Sequence, residues 1–236
     1  LAEMLDRLAP GLKRLMTAPR DPRLYGRSSI WVPGGLPAAH PQDATNQALL
    51  KGWQPFSPEY WWYICCGPLH PYPNFFVDYP TIDQRMVFWL TWKYNLTGFL
   101  YWGVEYYGDP RQMTADGPTE AYPLGPQHQG NGDGTLCYWG PEQTFLPSVR
   151  LNAIRDGIED YEYYVLMRRL LGERPKLSVF QRSMHRIGRV MGLGLPPDAG
   201  EVSEEVVRTL SDFSYDPSVL RKERRRVAKT ITRLAE

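Results

Sequence analysis

Tyr60-Trp61-Trp62-Tyr63-Ile64-Cys65-Cys66 is the stretch whose reading decides the fold. It is almost continuously apolar and aromatic, the pattern of a strand buried on both faces, as strands of parallel sheets are. Gly67-Pro68, Pro71 and Pro73 then force a loop. Thr81 stands where a helix cap is expected, and Ile82, Met86, Trp89, Leu90 and Lys93 mark one helical face running to about Asn95. Gly98 to Trp102 is the next strand. Strand, helix, strand in that order predicts a parallel pair joined by a right-handed crossover.

Working outward, the same alternation continues upstream. Leu12 to Thr17 and Ser28 to Val32 read as two further strands, the second closed by Pro33-Gly34-Gly35. Before them, Leu1, Met4, Leu5 and Leu8 recur at helical spacing until Pro10-Gly11, and residues 41–52 read as a helix with Ala44, Ala48 and Leu49 on one side. Downstream, residues 103–146 form a long region rich in Gly, Pro and Asp, and such loops in compact domains usually carry function. From Pro147 the pattern is helical to about Leu171, then near 177–192, 201–213 and 217–235. The last stretch carries Arg221, Lys222, Arg224, Arg225 and Arg226, expected as a solvated basic face.

Four strand–helix units are half of a (β/α)8 barrel, which takes about 250 residues when complete. The expected fold class is therefore α/β, of the TIM-barrel type. Residues 1–171 would supply strands five to eight, the C-terminal half of the barrel, and residues 172–236 a C-terminal helical extension. On this reading, which the start at Leu1 inside a helical pattern favours, strands one to four lie upstream. An open α/β sheet, complete as it stands, is the rival account.

Composition narrows the function. A formal net charge of +1 over 236 residues lacks the basic footprint of a nucleic-acid binder. No apolar run reaches the roughly 20 residues of a membrane helix, so no membrane insertion is expected. Cys65, Cys66 and Cys137 cannot form a disulfide framework, and adjacent cysteines seldom pair. No His, Cys or carboxylate spacing resembles a metal site, and no phosphate-cradling Gly loop appears, so neither metal nor cofactor is expected. A share of 13% aromatic residues argues for a folded protein with much flat, amphipathic surface.

Several ordered motifs resemble one family. Trp61-Trp62-Tyr63 with Cys65 and Pro68, Pro73-Asn74, and Asp83 and Arg85 with Trp89 are similar to the catalytic domain of glycoside hydrolase family 123. So are Gly98 to Trp102 and Asn131-Gly132-Asp133-Gly134-Thr135-Leu136 with Tyr138 and Gly140. The longest match is Ser148-Val149-Arg150-Leu151 running into Arg155-Asp156-Gly157-Ile158-Glu159-Asp160-Tyr161-Glu162-Tyr163. The resemblance spans about residues 10–171 and implies a (β/α)8 barrel that releases terminal β-linked N-acetylgalactosamine from glycans. It also implies substrate-assisted chemistry. The sugar's acetamido oxygen attacks the anomeric carbon, a Glu protonates the leaving oxygen and a neighbouring Asp orients the amide, an exception to the two-flanking-carboxylate rule. That Asp-Glu pair follows the family's fourth strand, so it is expected upstream of Leu1, and this chain alone is expected to be inactive without the N-terminal half.

The remaining candidates are substrate contacts. Trp102, Glu105 and Tyr106 follow the last strand, at the rim where barrel enzymes keep their sites. An aromatic face there can stack on a pyranose, and a carboxylate can take its hydroxyl hydrogens. Glu105 is also the in-chain candidate acid. Asn131 and Asp133 lie in a Gly-rich loop, where turn formation competes with the sugar contact that the resemblance implies. Trp31 and Tyr63 sit near strand ends, open to either pocket or core, and Asn74 could reach a sugar from its Pro-rich loop. Arg155 and Glu159 lie four apart, as do Asp156 and Asp160, and with Arg150 these side chains are expected to make helix-to-barrel or intrahelical ion pairs. Gly157 in mid-helix suggests close approach of another backbone. A non-catalytic carbohydrate-binding module from the same barrel is the second functional reading, and a structural piece needing its other half is the third. Compartment stays open, with secretion or a periplasmic location compatible with a glycan substrate.

Overall fold

The computed structural model describes residues 2–17, 28–32, 59–106, 113–114, 117–118, 131–139, 141–173 and 200–235. A short helix α1 (Ala2–Leu8) leads into strands β1 (Leu15–Thr17), β2 (Ile30–Val32) and β3 (Glu59–Ile64). Helix α2 (Thr81–Lys93) crosses to β4 (Gly98–Tyr101). The four strands form one sheet in the order β1-β2-β3-β4, each parallel to its neighbour. This is the arrangement expected from the alternation of strands and helices. The helices expected at 41–52 and 177–192 lie outside the described residues.

The two faces of β3 are distinct. Trp62 and Ile64 are buried in the core beneath α2, and Trp62 Nε1 donates to Thr91 Oγ1 at 2.8 Å. Trp61 and Tyr63, one residue out of step, point the other way, as alternation requires. The Trp61 indole lies across Gly98 of β4, where any side chain would collide with it.

Helix α2 differs at its start from the sequence expectation. Thr81 is the first helical residue, not the cap. Pro80 takes the cap position with extended backbone (φ −52°, ψ 138°), and its carbonyl accepts from Asp83 N at 2.9 Å. The end is a Schellman turn: Asn95 N donates to Trp92 O, Leu96 N donates to Thr91 O, and Asn95 is left-handed at φ 53°.

The segment read as one loop from 103 to 146 contains two small antiparallel pairs. These are β5 (Met113–Thr114) with β6 (Gly117–Pro118), and β7 (Cys137–Trp139) with β8 (Phe145–Pro147). Helix α3 (Val149–Glu173) packs along α2, and α4 (Pro217–Ala235) packs against α3. Gly157 is the contact point of the first pair. A Cβ there would stand 2.8 Å from the Arg85 carbonyl oxygen, so the close approach inferred from the glycine is present.

Residues 201–213 are not a helix. They turn back on themselves, with Val207 bridging Phe213 and Ser214 N donating to Val206 O at 2.8 Å. Val202, Val206, Leu210 and Phe213 have helical spacing and are buried. Their neighbours defeat the helix: Ser203 Oγ accepts from Glu205 N, Thr209 Oγ1 accepts from Ser211 N, and Arg208 forks onto Asp212. These valines share one apolar core with Trp62, Trp89, Tyr164 and Val227.

The basic face of α4 is only partly solvated. Arg224 reaches Glu159 at 2.9 Å and Asp160 at 3.3 Å, and Arg226 clasps Glu223 at 2.7 Å. Burial pushes the Glu223 carboxyl up, but hydrogen bonds from Arg226 and Tyr164 outweigh it and hold the group below its ordinary value.

Candidate functional site

The C-terminal ends of β3 and β4 lie side by side, with Ile64 paired to Tyr101. Beyond β4 the chain turns at Trp102 and runs back beside residues 134–137. Glu105 bridges Thr135 antiparallel, Tyr106 N donates to Gly134 O at 2.9 Å, and Leu136 N donates to Val104 O at 2.7 Å. This pairing brings Trp102, Tyr106 and the Asn131–Gly134 loop together.

Asp133 is the centre of the group. Its Oδ1 accepts from the Tyr101 hydroxyl at 2.9 Å and from Trp102 Nε1 at 3.0 Å. The Tyr101 hydroxyl in turn accepts from Gly134 N at 2.8 Å. Burial, reinforced by the Asp133 charge, holds the Tyr101 hydroxyl above its ordinary value, so it remains a donor at any physiological pH. Among the described residues Asp133 Oδ2 accepts no hydrogen bond. The Trp102 and Tyr106 rings, 43% and 46% exposed, stand 4.8 Å apart with 60° between their planes. The result is an open aromatic corner beside a carboxylate with one oxygen committed.

The loop holding Asp133 needs its glycines. Gly132 and Gly134 have φ of +75° and +76°, the left-handed region that other residues rarely adopt. Side chains at these positions would also strike Val77 and the Trp102 ring. Beneath the loop lies Arg150, which the sequence suggested as an ion-pair partner. It is 7% exposed and pairs instead with carbonyls. Its guanidinium donates to Phe75 O at 2.5 Å, Gly132 O at 2.9 Å and Thr135 O, and to the Tyr138 hydroxyl at 3.2 Å. One side chain thus ties the β3–α2 loop, the Gly loop and β7 together.

The other expected site residues are distributed around this centre. Tyr63 is half-buried. Burial raises its hydroxyl, helped by the Cys65 thiol beside it and by the Asp133 charge. Trp31 is 1% exposed within β2. Asn74 is fully buried: Nδ2 donates to Cys65 O and Pro68 O, and Oδ1 accepts from Phe75 N. Its amide locks the loop. Asn131 is half-buried, Nδ2 donating to Asp78 at 3.4 Å and Oδ1 buried without a partner among the described residues, while its main-chain carbonyl accepts from Val77 N. Glu105 is exposed, makes no described contact with Trp102 or Asp133, and acts on Cys137, whose thiol its charge helps to raise after burial.

Sequence reasoning overlooked Tyr101 as a site residue, although it stands in the family-like Gly98 to Trp102 run. Arg150 gave no local signal, since the carbonyls it gathers belong to Phe75, Gly132 and Thr135. No group of three or more His, Cys, Asp or Glu side chains could hold a metal ion among the described residues.

No curated protein matches the chain. A family model does, that of the glycoside hydrolase 123 catalytic domain, over residues 34–167. The match covers more than half of the chain, from ahead of β3 to well inside α3, and so includes Trp102, Asp133 and Arg150. The chain belongs to the glycoside hydrolase 123 family through its catalytic domain, and its activity class is hydrolysis of glycosidic bonds.

Proposed function

We propose that the chain is part of a (β/α)8 glycosidase barrel acting on terminal N-acetylhexosamine, of the β-N-acetylgalactosaminide type, by substrate-assisted hydrolysis. The sheet order supports the barrel. An open doubly wound sheet reverses its strand order at a switch point, whereas a singly wound barrel runs 1-2-3-4. Trp61, Tyr63 and Leu100, on the face opposite α2, are only half-buried among the described residues, although parallel sheets are normally covered on both faces. The N-terminal half of the barrel would cover them.

One observation carries the binding role: the exposed Trp102–Tyr106 corner, with Trp102 held by its bond to the buried Asp133. The rings offer a stacking surface for the apolar face of a pyranose. The acid and the amide-orienting aspartate would come from the Asp-Glu pair on the other half. The sugar's acetamido oxygen would then close on the anomeric carbon as the glutamic acid protonates the departing oxygen. This chain positions, and its partner half reacts.

The test is a titration of the chain's tryptophan fluorescence with N-acetylgalactosamine, beside an assay on a chromogenic N-acetyl-β-galactosaminide. Saturable quenching by the sugar without turnover is expected. Turnover by this chain alone would overturn the division of labour, and Glu105→Gln would be the first variant to examine. Sugar binding that gains no turnover when the N-terminal half is supplied would favour a carbohydrate-binding module.

A further inference from the structure

Cys65 and Cys66 follow β3 directly, at the edge of the site. Their sulfurs lie 3.5 Å apart, and both are free, Cys66 exposed and Cys65 half-buried. The turn that presents them is pinned from below. The fully buried Asn74 donates through Nδ2 to Cys65 O at 2.9 Å and to Pro68 O at 3.0 Å, and Cys65 N donates to Gly67 O at 2.9 Å. The two thiols therefore face each other on a fixed backbone, one of them open to solvent.

We propose that Cys65 and Cys66 are a redox-sensitive modification site that closes reversibly into a vicinal disulfide by exchange with small-molecule disulfides. The exposed Cys66 thiolate attacks a disulfide RSSR, forming a mixed disulfide and releasing RS⁻. The Cys65 thiolate then attacks the Cys66 sulfur, and the second RS⁻ leaves. The two cysteines lose two electrons and two protons, and RSSR becomes two RSH. Resolution closes the sulfurs from 3.5 Å to the disulfide bond length of about 2.05 Å and strains the peptide between them.

The ring so formed is easily opened. Neighbouring Cα atoms are about 3.8 Å apart across a trans peptide, short of the roughly 4.4–6.8 Å that disulfides span at ease. Strained, exposed disulfides have the more oxidising potentials and are the labile ones. The Cys65 sulfur that takes part in closure lies beside the Tyr63 hydroxyl. The Cys66 thiol is held above its ordinary value by the Cys65 thiol and by burial, so the exchange accelerates as pH rises. Cys137 is an internal control, buried with its thiol donating to Val104 O at 3.0 Å. None of this depends on which sugar the site takes.

The experiment incubates the full chain with oxidised glutathione near pH ~8, where thiolates form. The peptide carrying both cysteines is then weighed by mass spectrometry, and thiols are counted after unfolding. The peptide is expected to lose two hydrogens with no glutathione attached, and the thiol count to fall from three to one. Dithiothreitol should restore all three. Cys65→Ser should retain glutathione on Cys66, since no neighbour resolves it. A persistent glutathione adduct on the unmutated chain, a disulfide-linked dimer, or an unchanged thiol count would overturn the proposal.

Discussion

Asp133 is a buried carboxylate that holds the aromatic corner in place. Tyr101 and Trp102 occupy one oxygen, and the aromatic corner flanks the group. Asp133→Asn keeps an acceptor for both donors, whereas Asp133→Ala strands them at a cost of about 1–3 kcal/mol. Trp102→Ala removes half of the corner and one of the two donors to Asp133. Its expected outcome is a loss of sugar affinity of about tenfold or more, with a stability cost of about 1 kcal/mol for the lost bond. In the enzyme with its other half, turnover should slow as well, because positioning contributes to the barrier. Fluorescence titration and steady-state kinetics on the same variant check both. Asp83 is a different case. It is fully buried at the start of α2, with His70 Nε2 3.7 Å away and the Tyr215 hydroxyl beside it. Burial pushes its carboxyl from 3.8 up to about 7, against the lowering effect of Tyr215. A raised acid stabilises the fold below its unfolded value, and the contribution is lost as pH rises through about 7. Thermal melts from about pH 5 to 8 should fall with rising pH, and Asp83→Asn should flatten that slope. An unchanged slope in the variant would remove Asp83 as its cause.

At the scale of elements, the junction of α2, α3 and α4 is organised by one buried aspartate. Asp160, 2% exposed, accepts from Arg85 Nε at 2.6 Å and Nη2 at 3.1 Å and from Trp89 Nε1 at 2.8 Å, with Arg224 at 3.3 Å. Asp160→Asn leaves two guanidinium groups short of a counter-charge. Breaking a buried pair from one side costs about 3–5 kcal/mol. Urea denaturation should show a loss of that order, while sugar binding at the strand ends stays within about twofold, because the residue touches nothing in the site. A variant of native stability that no longer binds sugar would contradict this. The neighbouring Arg155–Glu159 pair is a useful contrast, since both side chains are exposed and the separation is 3.8 Å. Its removal should cost no more than about 0.5 kcal/mol.

Across the whole molecule, the four parallel strands and the three long helices were legible as apolar or helix-forming runs bounded by Gly and Pro. Trp61-Trp62-Tyr63-Ile64 and the α2 run from Ile82 to Leu90 are the clearest cases. What was not legible involved competition or long-range pairing. Nothing near Ser203 says that its hydroxyl will win against a helical backbone. Nothing near Arg150 names Phe75, 75 positions away, as its partner. The same limit applies to the site, where Trp102 and Tyr106 were visible from their place after a strand, while Tyr101 reached Asp133 only through the fold. Among the described residues after 171, Val202, Val206, Leu220 and Val227 lie in the core around Trp89 and Tyr164. Deleting residues 200–235 should therefore destroy the cooperative thermal transition instead of trimming an appendage, as circular dichroism would show. Arg150 also has a consequence for the order of events during synthesis. Each strand of the sheet joins its immediate predecessor, so the sheet can be laid down as the chain emerges from the ribosome. The carbonyls of Phe75, Gly132 and Thr135 must wait, because the guanidinium that gathers them is translated last. A nascent chain arrested before that codon would hold the three carbonyls without the donor that joins their loops.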